Sequence, residues 1–407
     1  MTLRSLLVAT TTFMATGAMA QELTVWDWKS GDPVTAGYFD SAKAAFEAAH
    51  PGATVNFVVQ PNDQYYTLLG TALASGEAPD VLLLHGGAQT TTRADALLDL
   101  TDMATGFSGL EAFSVDGQTF ALPLTIQGFV IYYNKARYIE AGLDPNAPPQ
   151  TYDDLIAVCD AIIAAGQVPC FAMGNKEGYG GEFAATLATA NSFTPADYTA
   201  WTAGTMPWTD PKVRAIVELW VDGATRGWYQ DGANSTAKFM DEYEGFMRGE
   251  AANTVGLLSD VAHWKQFDEF LGAENLGAFA FPTPGTEVAR LPFAGGIGWG
   301  VTAGSDQQAL SLDLVRILTD AEREAIFAID TGALPANTAV DTSSLSSPTL
   351  TTILGLMASV PAGMPHAVLN PIVLEEWKRQ SQTLLNGETT VDEVIAAMEA
   401  TRLANPQ

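Results

Sequence analysis

Side chains able to do covalent or metal chemistry are few in this sequence and lie far apart. The four histidines, His50, His85, His263 and His366, show no His-Glu-x-x-His spacing, and Cys159 and Cys170 are not a Cys-x-x-Cys pair. Neither a zinc site nor dithiol redox chemistry therefore has a motif, and no metal is expected. The glycine-rich run Gly174 to Gly181 lacks the Gly-Lys-Ser/Thr ending that a phosphate-cradling loop needs. Gly295 to Gly300 has the wrong spacing for a dinucleotide turn and runs into Val-Thr-Ala instead of a helix. No Gly-x-Ser-x-Gly elbow is present. With 47 acidic residues some carboxylate pair will meet in any cleft. Residue types alone thus leave a glycosidase open without pointing to one. No catalytic residue and no cofactor are predicted.

Composition narrows the partners. The 407 residues carry 47 acidic and 19 basic side chains, a formal charge of −28. Long-range repulsion then works against nucleic acid and against an anionic membrane face. At 47% hydrophobic residues the chain is globular, and its length exceeds what one core serves, so at least two lobes are expected. Met1-Thr2-Leu3-Arg4, an apolar stretch from Leu6 to Met19 and the Ala18-Met19-Ala20 site read as a cleavable signal peptide over 1–20. The product is expected in the periplasm. In that oxidising compartment Cys159 and Cys170 would form a disulfide, with two buried thiols as the other reading.

The elements needed to position any site come next. Leu23, Val25 and Asp27 alternate with Thr24, Trp26 and Trp28, which predicts a strand. Ala36, Phe39, Ala42, Phe46 and Ala49 recur at helical steps, and His50-Pro51-Gly52 stops them. Val55, Phe57 and Val59 give a second strand, Gln64 to Ala74 a second helix, and Asp80 to His85 a continuous apolar strand. Such a run suits a parallel sheet covered on both faces, so the order β-α-β-α-β predicts an open α/β sheet. Helix starts are expected at Thr151 with Asp154, at Asp210-Pro211, and at the pairs Thr319 with Glu322 and Thr390 with Glu393.

Several segments, in order, resemble the family 1 extracellular solute-binding proteins, the sugar-binding components of bacterial ABC importers and relatives of maltose-binding protein. They are Leu23 to Trp28; Phe46 to Val55; Ala72-Leu-Ala-Ser-Gly-Glu-Ala-Pro-Asp-Val81; Leu122-Pro123 with Ile131 to Lys135; Ala141 to Leu143; Thr151 to Leu155; and Phe246 to Ala252. Gly295-Gly296, Trp299 to Ser305, Gly332 to Ala336 and Leu385 to Glu388 continue the likeness. The resemblance implies a two-lobed α/β fold of the type II periplasmic binding protein kind, its discontinuous lobes joined by crossing hinge strands. Lobe I would comprise 21–126 and 281–320, and lobe II 127–280 and 321–407. It implies a monomer that performs no chemistry, captures a mono- or oligosaccharide between the lobes and delivers it to the transmembrane subunits of an ABC permease. A polyol, glycerol phosphate or polyamine is the alternative cargo.

A sugar offers apolar C–H faces and a rim of hydroxyls, which aromatic faces and polar side chains match. In such sheets those groups belong just past the strand ends. The ligand-binding residues expected there are Trp28, Lys29, Asp63, Tyr65 and His85 in the first lobe. Asn175, Glu177, Asp260 and Trp264 are expected in the second, with Gln127, Gly296 and Trp299 at the crossings. Lys176, Tyr179, Trp201, Trp208, Trp228 and Tyr229 are weaker candidates. Each has a plainer role open to it: tryptophans fill cores, Asp63 can cap a helix, His85 can be structural, and Asn175 to Glu177 can be a solvated turn.

Overall fold

A computed structural model describes residues 21–62, 64–258, 262–357 and 369–406. The expected leader peptide, Asp63 and Asp260 lie outside the described residues. Lobe I opens with β1 (Gln21–Asp27), α1 (Ala36–Ala49), β2 (Ala53–Val59), α2 (Tyr65–Ser75) and β3 (Val81–His85). β1 pairs in parallel with β2 and with β3. In β3, Val81 and Leu83 enter one core while Leu82 and Leu84 enter another, so both faces of the strand are covered and its sequence is apolar throughout. A short strand, β4 (Leu122–Pro123), lies at the far edge of this sheet.

The chain then leaves lobe I along β5 (Thr125–Asn134), the axis of the second sheet. Lobe II adds α3 (Tyr152–Ala165), α4 (Tyr179–Ser192), α5 (Pro211–Thr225), β6 (Asn253–Leu257), α6 (His263–Leu271) and β7 (Leu276–Phe279). β6 and β7 both pair antiparallel with β5. Thr151 and Asp154 exchange hydrogen bonds in a capping box at the start of α3, and Asp210 accepts from the Lys212 N–H ahead of α5. Cys159 on α3 and Cys170 are bonded, with Cα atoms 5.1 Å apart.

The return begins at β8 (Phe293–Gly295), which pairs with β5, and continues into β9 (Ile297–Val301), which lies between β3 and β4 in the lobe I sheet. α7 (Gln308–Leu318) and α8 (Ala321–Thr331) follow, and β10 (Leu334–Pro335) makes the third crossing, again against β5. Ile126 is thus flanked by Gly295 on one side and Leu334 on the other. α9 (Pro348–Met357), α10 (Pro371–Leu385) and α11 (Val391–Ala404) close lobe II.

Two expected boundaries move. Residues 281–292 stay with lobe II, because the Asn191 amide donates to the carbonyls of Phe281 and Arg290 (both 3.0 Å) and accepts from the Arg290 N–H at 2.7 Å. α8 belongs to lobe I: Phe327 is buried in its core and meets the Tyr38 ring edge-on at 5.2 Å. The changes of lobe therefore fall at Gly295-Gly296 and near Gly332, not at 281 and 320. The expected capping pair Thr319 and Glu322 is also replaced. Asp320 caps α8 by accepting from the Arg323 N–H, while the Thr319 hydroxyl donates back to the Val315 carbonyl.

Candidate functional site

The parallel strands of lobe I end toward the crossings. His85, the last residue of β3, pairs with Ile297, and the Gly86 N–H donates to the Gly296 carbonyl at 2.8 Å. Trp28 follows β1 at this end. Asp27 sets its direction: one carboxylate oxygen accepts the N–H groups of Lys29 (2.6 Å) and Ser30 (2.5 Å), the other the Ser30 hydroxyl at 2.8 Å. Burial pushes the Asp27 carboxyl up, and those hydrogen bonds oppose the shift. The half-buried Trp28 ring lies nearly parallel to the His85 imidazole, centroids 4.6 Å apart at 15°, and takes the edge of Tyr65 at 4.8 Å.

Tyr66 fixes the imidazole. Its hydroxyl accepts the His85 backbone N–H at 2.8 Å and shares a 2.8 Å hydrogen bond with Nδ1. The Arg93 guanidinium sits 4.9 Å above the Tyr66 ring and donates to the Gln89 carbonyl and Oε1 at 2.7 and 2.9 Å. Burial lowers the Arg93 pKa, and among the described residues no carboxylate pairs with it. The result is a half-buried ring stack with hydrogen-bonding edges at a strand-end surface, suited to an apolar ligand face with a polar rim. Among the described residues no group of three or more potential metal ligands exists.

The structure brings Trp28 and His85 together and disperses much of the rest. Tyr65 is fully buried, with its hydroxyl on the Trp26 carbonyl at 3.1 Å; Tyr66, one position on, is half-buried. Trp299 is also fully buried, its indole donating to the Tyr38 hydroxyl at 2.8 Å, so it fills the lobe I core. Trp264 is buried in lobe II with its indole on the Gly332 carbonyl at 2.9 Å. Asn175 is buried too: Oδ1 accepts the Gly181 N–H at 3.0 Å and Nδ2 donates to Asn234 at 2.9 Å. All four, expected at the ligand surface, are buried in this conformation, with their polar atoms engaged inside the protein. Trp201, Trp208 and Trp228 are core residues of lobe II.

Lys29 is buried beside the Asp27 turn. Gln127 is half-buried on β5 opposite Ala294, and Gly296 packs so closely that a Cβ would lie 2.6 Å from the Thr125 hydroxyl. Glu177 is exposed and accepts the Lys238 N–H at 3.3 Å. Sequence reasoning missed Tyr66 and Arg93 in lobe I, and the exposed pair Phe239 and Met240 in lobe II. The signal available for Tyr66 was its place one residue beyond Tyr65, on the adjoining face of a helix.

Comparison with known proteins places this geometry in a class. The family pattern described as bacterial extracellular solute-binding protein matches residues 41–352, and the chain belongs to that family. It is 26% identical over 325 residues to the maltodextrin-binding protein MdxE of Bacillus subtilis, covering 74% of this chain and 71% of that one. To the sn-glycerol-3-phosphate-binding periplasmic protein UgpB of Yersinia pestis it is 24% identical over 359 residues, 81% of this chain and 77% of the other. A putative binding protein of Brucella abortus is 32% identical over 140 residues, a match spanning 32% of this chain and only 34% of the relative. Among solved structures, a chitin oligosaccharide binding protein superposes with a TM-score of 0.86 at 22% identity, over 95% of this chain and 99% of that one. Maltose-bound MalE3 of T. maritima gives 0.77 at 20%, over 95% and 100%. These two likenesses establish the two-lobed fold. Among the described residues no helix is long and apolar enough to cross a membrane.

Proposed function

We propose that the chain is the periplasmic binding component of an ABC importer, capturing an oligosaccharide between its lobes and delivering it unaltered to the permease. The observation that carries this is the Trp28–His85 stack, held by Tyr66 at the strand ends of lobe I beside the three crossings. A stacked aromatic pair with an imidazole edge fits a pyranose face and its hydroxyls. The family, the maltodextrin-binding relative and the chitin-oligosaccharide-binding neighbour support the saccharide class. A hinge of three crossing strands suits a carrier, which needs a closed state stabilised by ligand and no reactive group.

A second reading, a phosphorylated polyol such as glycerol phosphate, draws on the Arg93 guanidinium at this surface and on the UgpB relative. Calorimetric titration against malto- and chito-oligosaccharides, raffinose and sn-glycerol 3-phosphate separates the two. Trp28→Ala should weaken saccharide binding by about 1–3 kcal/mol, the range of aromatic hot spots, with the fold retained. Unchanged affinity would remove the stack from the site. Release of shorter sugars on incubation would favour a glycosidase over a carrier.

A further inference from the structure

One turn of lobe II is built at a cost that packing alone does not explain. Residues Lys238–Glu242 form a π-helical turn, closed by a hydrogen bond from the Glu242 N–H to the Ala237 carbonyl at 3.1 Å. Such turns are rare and recur at functional sites. Inside it, Lys238 and Glu242 are both essentially without solvent contact and pair at 2.6 Å. Lys238 Nζ also donates to the Val255 carbonyl at 3.1 Å and lies 5.3 and 5.1 Å from the ring centres of Phe183 and Tyr243. Glu242 accepts the Thr254 hydroxyl at 2.6 Å and, with its other oxygen, the Gly174 N–H. Burial lowers the Lys238 pKa and raises that of Glu242, and mutual attraction opposes both shifts. A buried ion pair seldom stabilises more than apolar residues of similar volume, so its presence points to placement of the chain around it.

The pair places two large apolar side chains in the open. Phe239 and Met240, between its members, are 43% and 64% exposed. Phe239 is not loose: Tyr179, Tyr243 and Phe183 surround it at 5.1, 6.2 and 6.3 Å. Phe183 in turn stacks at 4.2 Å on Phe129 of β5, which pairs with Leu257 at the hinge end of the lobe II sheet. The next residue, Leu258, donates its N–H to the Gly128 carbonyl, two residues from the crossing at Ile126. Phe239 thus sits one ring away from the crossing strand, exposed, on a turn anchored from within.

We infer that Phe239 is the lobe II platform for a saccharide ring, and that Lys238 and Glu242 are positioning residues that hold the π-turn presenting it. This rests on the saccharide reading above and adds the contact from the second lobe. The test uses the whole mature protein titrated with maltotriose, chitotriose and raffinose. Phe239→Ala should lower affinity about tenfold, the range of an interfacial aromatic, with the melting temperature unchanged. Phe239→Trp should restore it. Lys238→Met with Glu242→Gln keeps an acceptor for the Thr254 hydroxyl and the Gly174 N–H while removing the ion pair, and should lower affinity to the same degree, with its melting curve checking that it folds. Adding Phe239→Ala to that double variant should cause little further loss, since both act through one contact; a merely structural pair would give independent effects.

Wild-type affinity in Phe239→Ala, alongside a loss in Trp28→Ala, overturns this inference and leaves the saccharide reading standing. A loss in Phe239→Ala with none in the Lys238/Glu242 variant overturns the positioning role. Failure of the unaltered protein to bind any of the three sugars overturns both readings.

Discussion

The disulfide allows a stability effect to be worked out and set apart from binding. Cys159 and Cys170 are 11 positions apart and fully buried among Tyr138, Leu155, Ile162 and Phe171. A loop of that length, on the chain-entropy estimate, restricts the unfolded chain by about 2.8 kcal/mol at 25 °C. Two thiols in the same apolar pocket leave no strong hydrogen-bonding group unpaired, so reduction should cost little beyond that. For a lobe of this size each kcal/mol moves the midpoint by about 2–4 °C, so reduction should lower the lobe II transition by about 6–11 °C. Scanning calorimetry with and without reductant measures it, with thiol alkylation and mass spectrometry establishing the redox state. Saccharide affinity should stay the same, because Cys170 bonds through its carbonyl to Asn253, at the end of β6 opposite the hinge. A midpoint unmoved by verified reduction would refute the loop-closure account. A large change in affinity would refute the assignment of this end of the sheet as remote from the ligand.

Two further perturbations probe the hinge region. Glu324 on α8 is buried, accepts the Asn337 N–H at 2.8 Å through one oxygen and leaves the other without a partner. Burial raises its pKa well above 4.5, so at pH values between the unfolded and folded pKa the native protein holds a proton that the unfolded chain has lost. Stability therefore falls as pH rises above the ordinary glutamate value of 4.5, and Glu324→Gln, which keeps an acceptor for Asn337, should flatten that fall; parallel melting curves for the two proteins would contradict this. Gly295→Ala should loosen the crossing, since a Cβ there would lie 2.2 Å from the Gly109 carbonyl and 2.7 Å from the Phe113 ring. A cost of about 1–3 kcal/mol in denaturant unfolding is expected, and a neutral variant would show that the crossing strands can part freely.

The fold was legible where pattern and cover coincide. The apolar run Val81 to Leu84 signalled a strand buried on both faces, and helices fill both faces. The Thr151 and Asp154 spacing signalled a helix start through local bonds alone. The lobe boundaries were not legible, because 281–292 has no periodicity and is tied to lobe II by contacts distant in sequence, among them the Asn191 amide, the Arg290 guanidinium on the Ala190 carbonyl and the buried Leu291. For the site, strand ends were informative and aromatic identity was not. Alternation tells which face of β9 Trp299 takes, but only α1, through the Tyr38 hydroxyl, decides that the face is covered. Tyr65 and Tyr66 differ by about 100° around α2, enough to send one into the core and the other onto His85. Phe239 was invisible because a π-turn adds a residue and breaks the helical period.

The three aromatic candidates Trp299, Trp264 and Tyr65, which are buried, differ from the accessible aromatics in what holds them. Trp299, Trp264 and Tyr65 each spend their polar atom inside the protein, on Tyr38, Gly332 and Trp26. Trp28 and Phe239 are held by ring contacts with their neighbours and keep part of their surface in solvent. The two sit on different lobes, which the strands crossing beside Ile126 link. On the proposed reading, a ligand touching one of them gains the same contact whether the lobes are open or closed, and so cannot drive closure. Only a ligand long enough to reach both acquires contacts unique to the closed form. The population shift that a permease could sense then depends on the second platform, which makes Phe239 the more sensitive test of transport, and Trp28 of simple binding.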